Sequence, residues 1–396
     1  MRVGIDLSCW ASRRGYGRFV RNLVRALLAL EPRQELVFLL DAQSAARTDL
    51  PDGGRHLVAP TREAPAAAAS AAGRRSLRDL AVMAAAAARA RLDALFFPSV
   101  YTWFPAPTTA TVILGIHDVT AEDYPDLVFP DARGRRLWAL KGRLARWQAD
   151  FILTVSAFAR EGVLRRFHPS PERVWVVEEA PDAVFRPLAP EEIDRALLAR
   201  WGFGEGDPFL VYLGGLNPHK NLGTLLDALA ALRRRPGLEA TRLAVIGDLD
   251  GDPFTPGAAE VRARTAALGL GGAVAFTGFL GDEEAVHFLS AARALVLPSF
   301  AEGFGLPAVE AAACGTPVVA TRNSPLPELL EGGGLFIDPA NGGELFEALA
   351  CLLADEEERA RKGRIALERA RALTWERSAR QMLELLDAVE RGRARA

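Results

Sequence analysis

The chain has 396 residues, 49% of them hydrophobic and 25% charged, which supplies two packed cores and argues against a single small domain or a disordered chain. The formal charge of −2 excludes a strongly basic nucleic-acid binder overall, and no nucleic-acid partner is expected. It hides an asymmetry: residues 1–180 carry net +6 and residues 181–396 net −8. A basic first half attracts anionic lipid or a phosphorylated acceptor; the plainer alternative is drift of surface charge.

In chain order, residues 2–8 read as a buried strand. Arg13, Arg14, Gly15, Tyr16, Gly17 and Arg18 follow, then a helical pattern in which Val20, Leu23, Val24, Leu27 and Leu28 recur. Strand, glycine-bearing turn and helix open a Rossmann-like unit, but no third glycine completes a dinucleotide fingerprint. Residues 36–40 form a second strand. An alanine-rich stretch over 61–91 invites helix, and residues 94–97 and 111–115 are further strands. The last of these runs into Ile116-His117-Asp118, placing His117 at the strand edge where parallel sheets bind ligands. A structural hydrogen-bonding histidine is the competing reading. Residues 131–149 predict a basic helix with Trp138, Leu140, Leu144 and Trp147. It is read either as a membrane-lying amphipathic helix or as a covering helix with a solvated arginine face. Residues 151–155 are a strand, Ser156 an N-cap, and residues 174–177 the last strand of the first half. Pro181 to Pro190 breaks the pattern and is the expected linker.

The strand–loop–helix cycle then restarts at residues 209–213. Gly214-Gly215-Leu216-Asn217-Pro218-His219-Lys220-Asn221 is a polar, glycine-rich loop before a helix over 222–232. Lys220 is one of only three lysines in the chain, with Lys141 and Lys362. A cation there opposes the helix dipole, which makes more sense with an anion bound between them. Residues 242–246 are a strand leading into Asp248-Leu249-Asp250-Gly251-Asp252, either a polar turn or an Asp-x-Asp metal site. Residues 274–277 run into Gly278-Phe279-Leu280, and Asp282 is read as a helix cap. Residues 317–320 and 335–339 are the last strands. Residues 343–371 and 374–390 are helices.

Between these lies the most informative stretch, Glu302-Gly303-Phe304-Gly305-Leu306-Pro307-Ala308-Val309-Glu310. It follows an apolar run over 294–299 that reads as a short buried strand. Pro307 suits a first helical turn, and Gly315 with Pro317 ends the helix. A glycine-bearing loop at a helix N-terminus presents backbone N–H groups to an anion. Glu302 is near enough to meet a hydroxylated group whose phosphate sits on those amides, and Glu310, two turns on, a second polyol such as a ribose.

This string resembles the E-x7-E motif, in its EGFGLP form, of retaining glycosyltransferases of family 4. The resemblance covers nearly the whole chain, most strongly 205–340. It implies an α/β GT-B fold of two Rossmann-like domains, residues 1–183 and 184–374, with parallel sheets facing across a cleft. The final helix, 375–396, is expected to return to the first domain. By resemblance Gly15, Tyr16 and Gly17 lie near acceptor and donor phosphate; Arg13, Arg14 and Arg18 are read either as acceptor-phosphate ligands or, more plainly, as solvated arginines. His117 faces the donor sugar and Glu302 orients its hydroxyls. Glu310 holds the ribose. Gly215, His219, Lys220, Asn221, Gly278, Gly303, Phe304, Gly305 and Leu306 line the donor site. One departure stands out: many members carry arginine where this chain has Gly215, so His219, Arg13 or Arg18 is expected to substitute.

The implied activity is retaining transfer of a hexose, first of all mannose from GDP-mannose, to a saccharide or lipid-linked acceptor, without a metal or other cofactor. The loops look most like those of bacterial mannosyltransferases of polysaccharide assembly. A GT-B sugar-nucleotide epimerase and a non-catalytic nucleotide-sugar binding protein are the alternatives. Three widely spaced cysteines form no zinc or disulfide pattern, and no apolar run approaches the roughly 20 residues that span a bilayer. No signal peptide is read at the start. A cytoplasmic protein is expected, with peripheral membrane contact through the basic half left open.

Overall fold

The computed structural model describes residues 1–12, 15–62, 76–248 and 257–393. It forms two units: Met1–Glu179 together with the segment from Thr374, and Ala180–Leu373.

The first unit is built on seven strands: β1 (Arg2–Asp6), β2 (Glu35–Asp41), β3 (Arg55–Ala59), β4 (Ala94–Phe97), β5 (Thr111–Gly115), β6 (Phe151–Thr154) and β7 (Val174–Val176). Their order is β3-β2-β1-β4-β5-β6-β7, and each pairing is parallel. Continuous apolar runs such as Ala94-Leu95-Phe96-Phe97 suit a parallel sheet whose two faces are both covered. One core layer collects Val37, Leu39, Met83, Phe97, Phe104 and Leu114. β3 is absent from the sequence reading. It is an edge strand whose Arg55 and His56 are exposed, so it shows no apolar run.

The second unit has six: β8 (Phe209–Leu213), β9 (Arg242–Ile246), β10 (Val274–Gly278), β11 (Ala294–Leu297), β12 (Val318–Thr321) and β13 (Gly334–Ile337). The order is β10-β9-β8-β11-β12-β13, again parallel. Each sheet reverses its winding once, between β1 and β4 and between β8 and β11. Loops leaving neighbouring strands diverge there, which is where open α/β sheets receive ligands.

Two helix boundaries differ from expectation. Gly281, not Asp282, is the N-cap of the helix Asp282–Ala291, and Glu284 reaches back to its amide. The helix expected over 343–371 is two, Gly342–Ala354 and Glu356–Ala370, because the Asp355 side chain caps the second by accepting from Glu358 N. The last helix, Trp375–Arg393, packs on the first, Gly15–Ala29. It buries Ala379, Met382, Leu385, Leu386 and Val389, and Arg33 ties to its Asp387 and Glu390 at 2.9 and 2.7 Å. Among the described residues no helix is long and apolar enough to cross a membrane.

Candidate active site

In the second unit the loops after β8 and β11 meet at the winding reversal. The loop after β8 turns through a 3-10 segment, Pro218–Lys220, before the helix Leu222–Leu232. Lys220 therefore precedes that helix rather than sitting in its first turn. Its Nζ reaches Glu302 Oε1 at 2.7 Å, joining the two loops through an ion pair whose side chains are 22% and 12% exposed. Ser299 Oγ donates to the same oxygen at 2.5 Å, and Glu302 N donates to Asn323 O at 3.1 Å. A carboxylate oxygen held by both ammonium and hydroxyl is fixed in direction.

Beyond Glu302, Gly305 adopts φ +87°, and a Cβ there would come within 2.8 Å of Leu326 Cδ1. Only glycine makes this turn without strain. The helix Leu306–Ala313 begins directly behind it, with Pro307 in its first turn. Pro307 has no N–H and Ala308 N donates to Gly305 O at 2.9 Å, so Leu306 N is the first-turn amide that an anion at this helix start would meet. Phe304 is buried and anchors the loop. Glu310, in the same helix, is 1% exposed.

Asn221 has φ +59° and its side chain is fully used locally. Nδ2 donates to Pro298 O at 3.1 Å and Pro339 O at 2.8 Å, and Oδ1 accepts from Thr224 Oγ1 at 2.7 Å. Its side chain thus braces the loops. His219 O accepts from Phe300 N at 2.9 Å, a second tie between the same two loops. Gly214, Gly215 and Gly247 allow the loops after β8 and β9 to touch: a Cβ on Gly247 would lie 2.1 Å from Gly214 O. Buried Tyr212 donates its hydroxyl to Gly215 O, and burial, then the Glu302 carboxylate, pushes its pKa well above the usual range. Gly278 ends β10 at φ +72°, and its carbonyl accepts from Gly247 N.

The first unit repeats the logic at its own reversal. Gly17 lets the first helix approach the preceding loop, since a Cβ there would lie 2.2 Å from Ser12 O. Arg21 donates to Trp10 O at 2.6 Å and Ser12 O at 2.7 Å, while Tyr16 stacks on Tyr101 at 5.5 Å. Gly15 is exposed and Arg18 half-buried. Arg13 lies outside the described residues, as do Asp250 and Asp252 of the Asp-x-Asp turn. Gly115 brings the end of β5 against the loop after β4. His117 Nε2 contacts Pro98 O at 2.9 Å and Nδ1 faces Glu179 Oε1 at 3.5 Å. A carbonyl and a carboxylate both accept hydrogen bonds, so this setting favours the doubly protonated ring. Burial alone would lower its pKa, but the Glu179 hydrogen bond and charge outweigh that and hold it above the usual 6.5.

Ser299, Tyr212 and Glu179 were not singled out from the sequence. Glu179 had a signal: Glu178-Glu179 follows the apolar run that β7 and Val177 make. Ser299 and Tyr212 had none beyond adjacency to a strand end.

Residues 194–369 match the family model "Glycosyl transferases group 1". O-antigen chain mannosyltransferase B of Escherichia coli is 30% identical over 240 residues, 59% of this chain and 60% of that protein. A D-inositol 3-phosphate glycosyltransferase of Nocardioides sp. is 34% identical over 259 residues, 62% of this chain and 54% of that one. The matches thus span a little over half the length of these curated relatives. Among solved structures, sucrose-phosphate synthase of Thermosynechococcus elongatus superposes with TM-score 0.76 at 19% identity, covering 99% of this chain and 100% of that one. Anabaena HepE, solved with UDP and glucose, gives 0.73 at 18%, covering 98% and 100%. The fold is therefore GT-B, and residues 194–369 are similar to the glycosyl transferases group 1 model.

Proposed function

We propose that the chain is a retaining glycosyltransferase that moves a hexose from a nucleoside diphosphate sugar to a hydroxyl of a saccharide or lipid-linked acceptor. The observation that carries this is the 2.7 Å Lys220–Glu302 pair beside the Gly305 turn and the helix N-terminus. Cleaving sugar C1 from phosphate oxygen leaves negative charge on the diphosphate. The amides of Gly303 to Leu306, the helix dipole and Lys220 are fixed to receive it. Glu302 orients sugar hydroxyls while Ser299 holds its other contact. In front-face transfer, the acceptor oxygen bonds to C1 as the C1–O phosphate bond breaks, and the acceptor proton passes to the leaving phosphate oxygen. No metal is assigned a role. The first unit's edge, with Gly15, Tyr16, Gly17 and Arg18, is assigned to the acceptor.

Mannose from GDP-mannose is the first donor to try, supported by the mannosyltransferase relative and by the Pro218-His219-Lys220-Asn221 form of the loop. The UDP and glucose bound by HepE make UDP-glucose the competing donor. The test is a thermal-shift panel of GDP-mannose, UDP-glucose, UDP-GlcNAc and ADP-glucose with their free diphosphates. A donor at about 100 times its Kd stabilises the folded state by about 2.7 kcal/mol. A rise with one nucleotide sugar, followed by a product whose anomeric NMR coupling matches the donor, supports the reading. No rise with any member contradicts it, and an inverted product removes retention.

A further inference from the structure

The helix Ala132–Gln148 turns its apolar stripe outward. Gly134, Gly142 and Ala145 are its buried residues, whereas Leu137, Leu140, Leu144 and Trp147 are 45, 56, 43 and 84% exposed. The last four recur at steps of three, four and three, which at 100° per residue keeps them within an arc of about 80°. They form an unpartnered strip about 15 Å long on the face opposite the core. Trp138 alone among the larger apolar residues turns inward, donating its indole N–H to Glu122 at 2.9 Å.

The helix carries Arg133, Arg135, Arg136, Lys141, Arg143 and Arg146 and no acidic residue. Two of these cations are used internally. Lys141 Nζ donates to Tyr101 O at 2.7 Å, and Arg146 lies 3.8 Å over the Phe167 ring. Arg135 is 3.8 Å from Asp126. Arg133, Arg136 and Arg143 are exposed; by helical angle Arg133 falls within the stripe and the other two along one edge. A second copy is a poor occupant, because a two-fold contact through the stripe would set the exposed Arg133, Arg136 and Arg143 of one helix against those of the other. A surface that is apolar within and anionic at its rim matches both features.

We propose that this helix lies in the interface of an anionic lipid bilayer, with Leu137, Leu140, Leu144 and Trp147 among the acyl chains and Arg133, Arg136 and Arg143 at the phosphates. The net +6 of residues 1–180 acts in the same direction. This inference does not depend on the donor or on the transferase reading, since vesicle binding needs no catalysis.

The test is co-sedimentation of the full chain with vesicles of phosphatidylglycerol and phosphatidylcholine, and with phosphatidylcholine alone. Binding to the first that falls with salt, and none to the second, is expected. The exposed-face variant Leu140→Ser/Leu144→Ser/Trp147→Ser should keep its circular dichroism spectrum and lose at least about 10-fold in partitioning. Arg136→Gln/Arg143→Gln should lose about 30-fold, at roughly 1 kcal/mol per cation near an anionic surface. Equal binding of wild type and stripe variant overturns the proposal, as does no wild-type binding. A dimer in sedimentation velocity that the stripe variant abolishes, without vesicle binding, assigns the face to a second copy instead.

Discussion

Glu179 and His117 show how one carboxylate can bias the charge of a buried ring. With Pro98 O on one nitrogen and Glu179 on the other, the His117 pKa is raised above 6.5 despite its burial. Because its folded pKa is raised, the stabilisation is fully present below the ordinary 6.5 and is lost as pH rises through the folded value. Glu179→Gln should therefore cost about 2 kcal/mol at about pH 6, and clearly less at about pH 9. Denaturant melts at the two pH values check this, and the His117 ring resonances should titrate lower in the variant. An equal cost at both pH values would mean that Glu179 acts through packing alone.

Between elements, the second-unit site depends on the brace between the loop after β8 and the loops after β11 and β13. Asn221 provides two of its bonds, to Pro298 O and Pro339 O. Asn221→Ala loses both and places alanine at a positive φ. It should lower stability by about 2–3 kcal/mol, while Asn221→Gly should recover about 1 kcal/mol of that by relieving the backbone alone. Thermal unfolding of both variants separates bracing from conformation. This brace was not legible in the sequence, where Asn221 looks like one more polar residue of a donor loop. The Glu302 to Glu310 stretch was legible because turn, helix start and carboxylates fall within nine residues. Most strands of both sheets were legible too, since parallel strands buried on two faces are continuous apolar runs. β3, as an exposed edge, and the outward facing of Leu140, Leu144 and Trp147 were not. A helix sequence shows that an apolar stripe exists, but not which neighbour covers it.

At the scale of the whole molecule, the C-terminal helix completes a unit begun more than 370 residues earlier. Its five buried apolar side chains include Met382, Leu385, Leu386 and Val389. At about 1.5–3 kcal/mol for each large one, their burial is comparable with the roughly 5–15 kcal/mol that holds a domain folded. Deleting residues 374–396 should unfold the first unit and spare residues 180–373, seen by hydrogen exchange as lost protection in β1, β2 and β4 with protection kept in β8 and β11. Uniform loss would contradict the division into two units. The central claim is that the loops after β8 and β11 hold a nucleoside diphosphate sugar by its diphosphate. Calorimetric titration of the donor found in the panel, and of the matching nucleoside monophosphate, into wild type and Lys220→Ala tests it most directly. The variant should bind the diphosphate sugar about 10- to 100-fold more weakly, the worth of one charge-assisted contact, and keep nearly the same monophosphate affinity. Equal affinity of both proteins for the diphosphate sugar would contradict it.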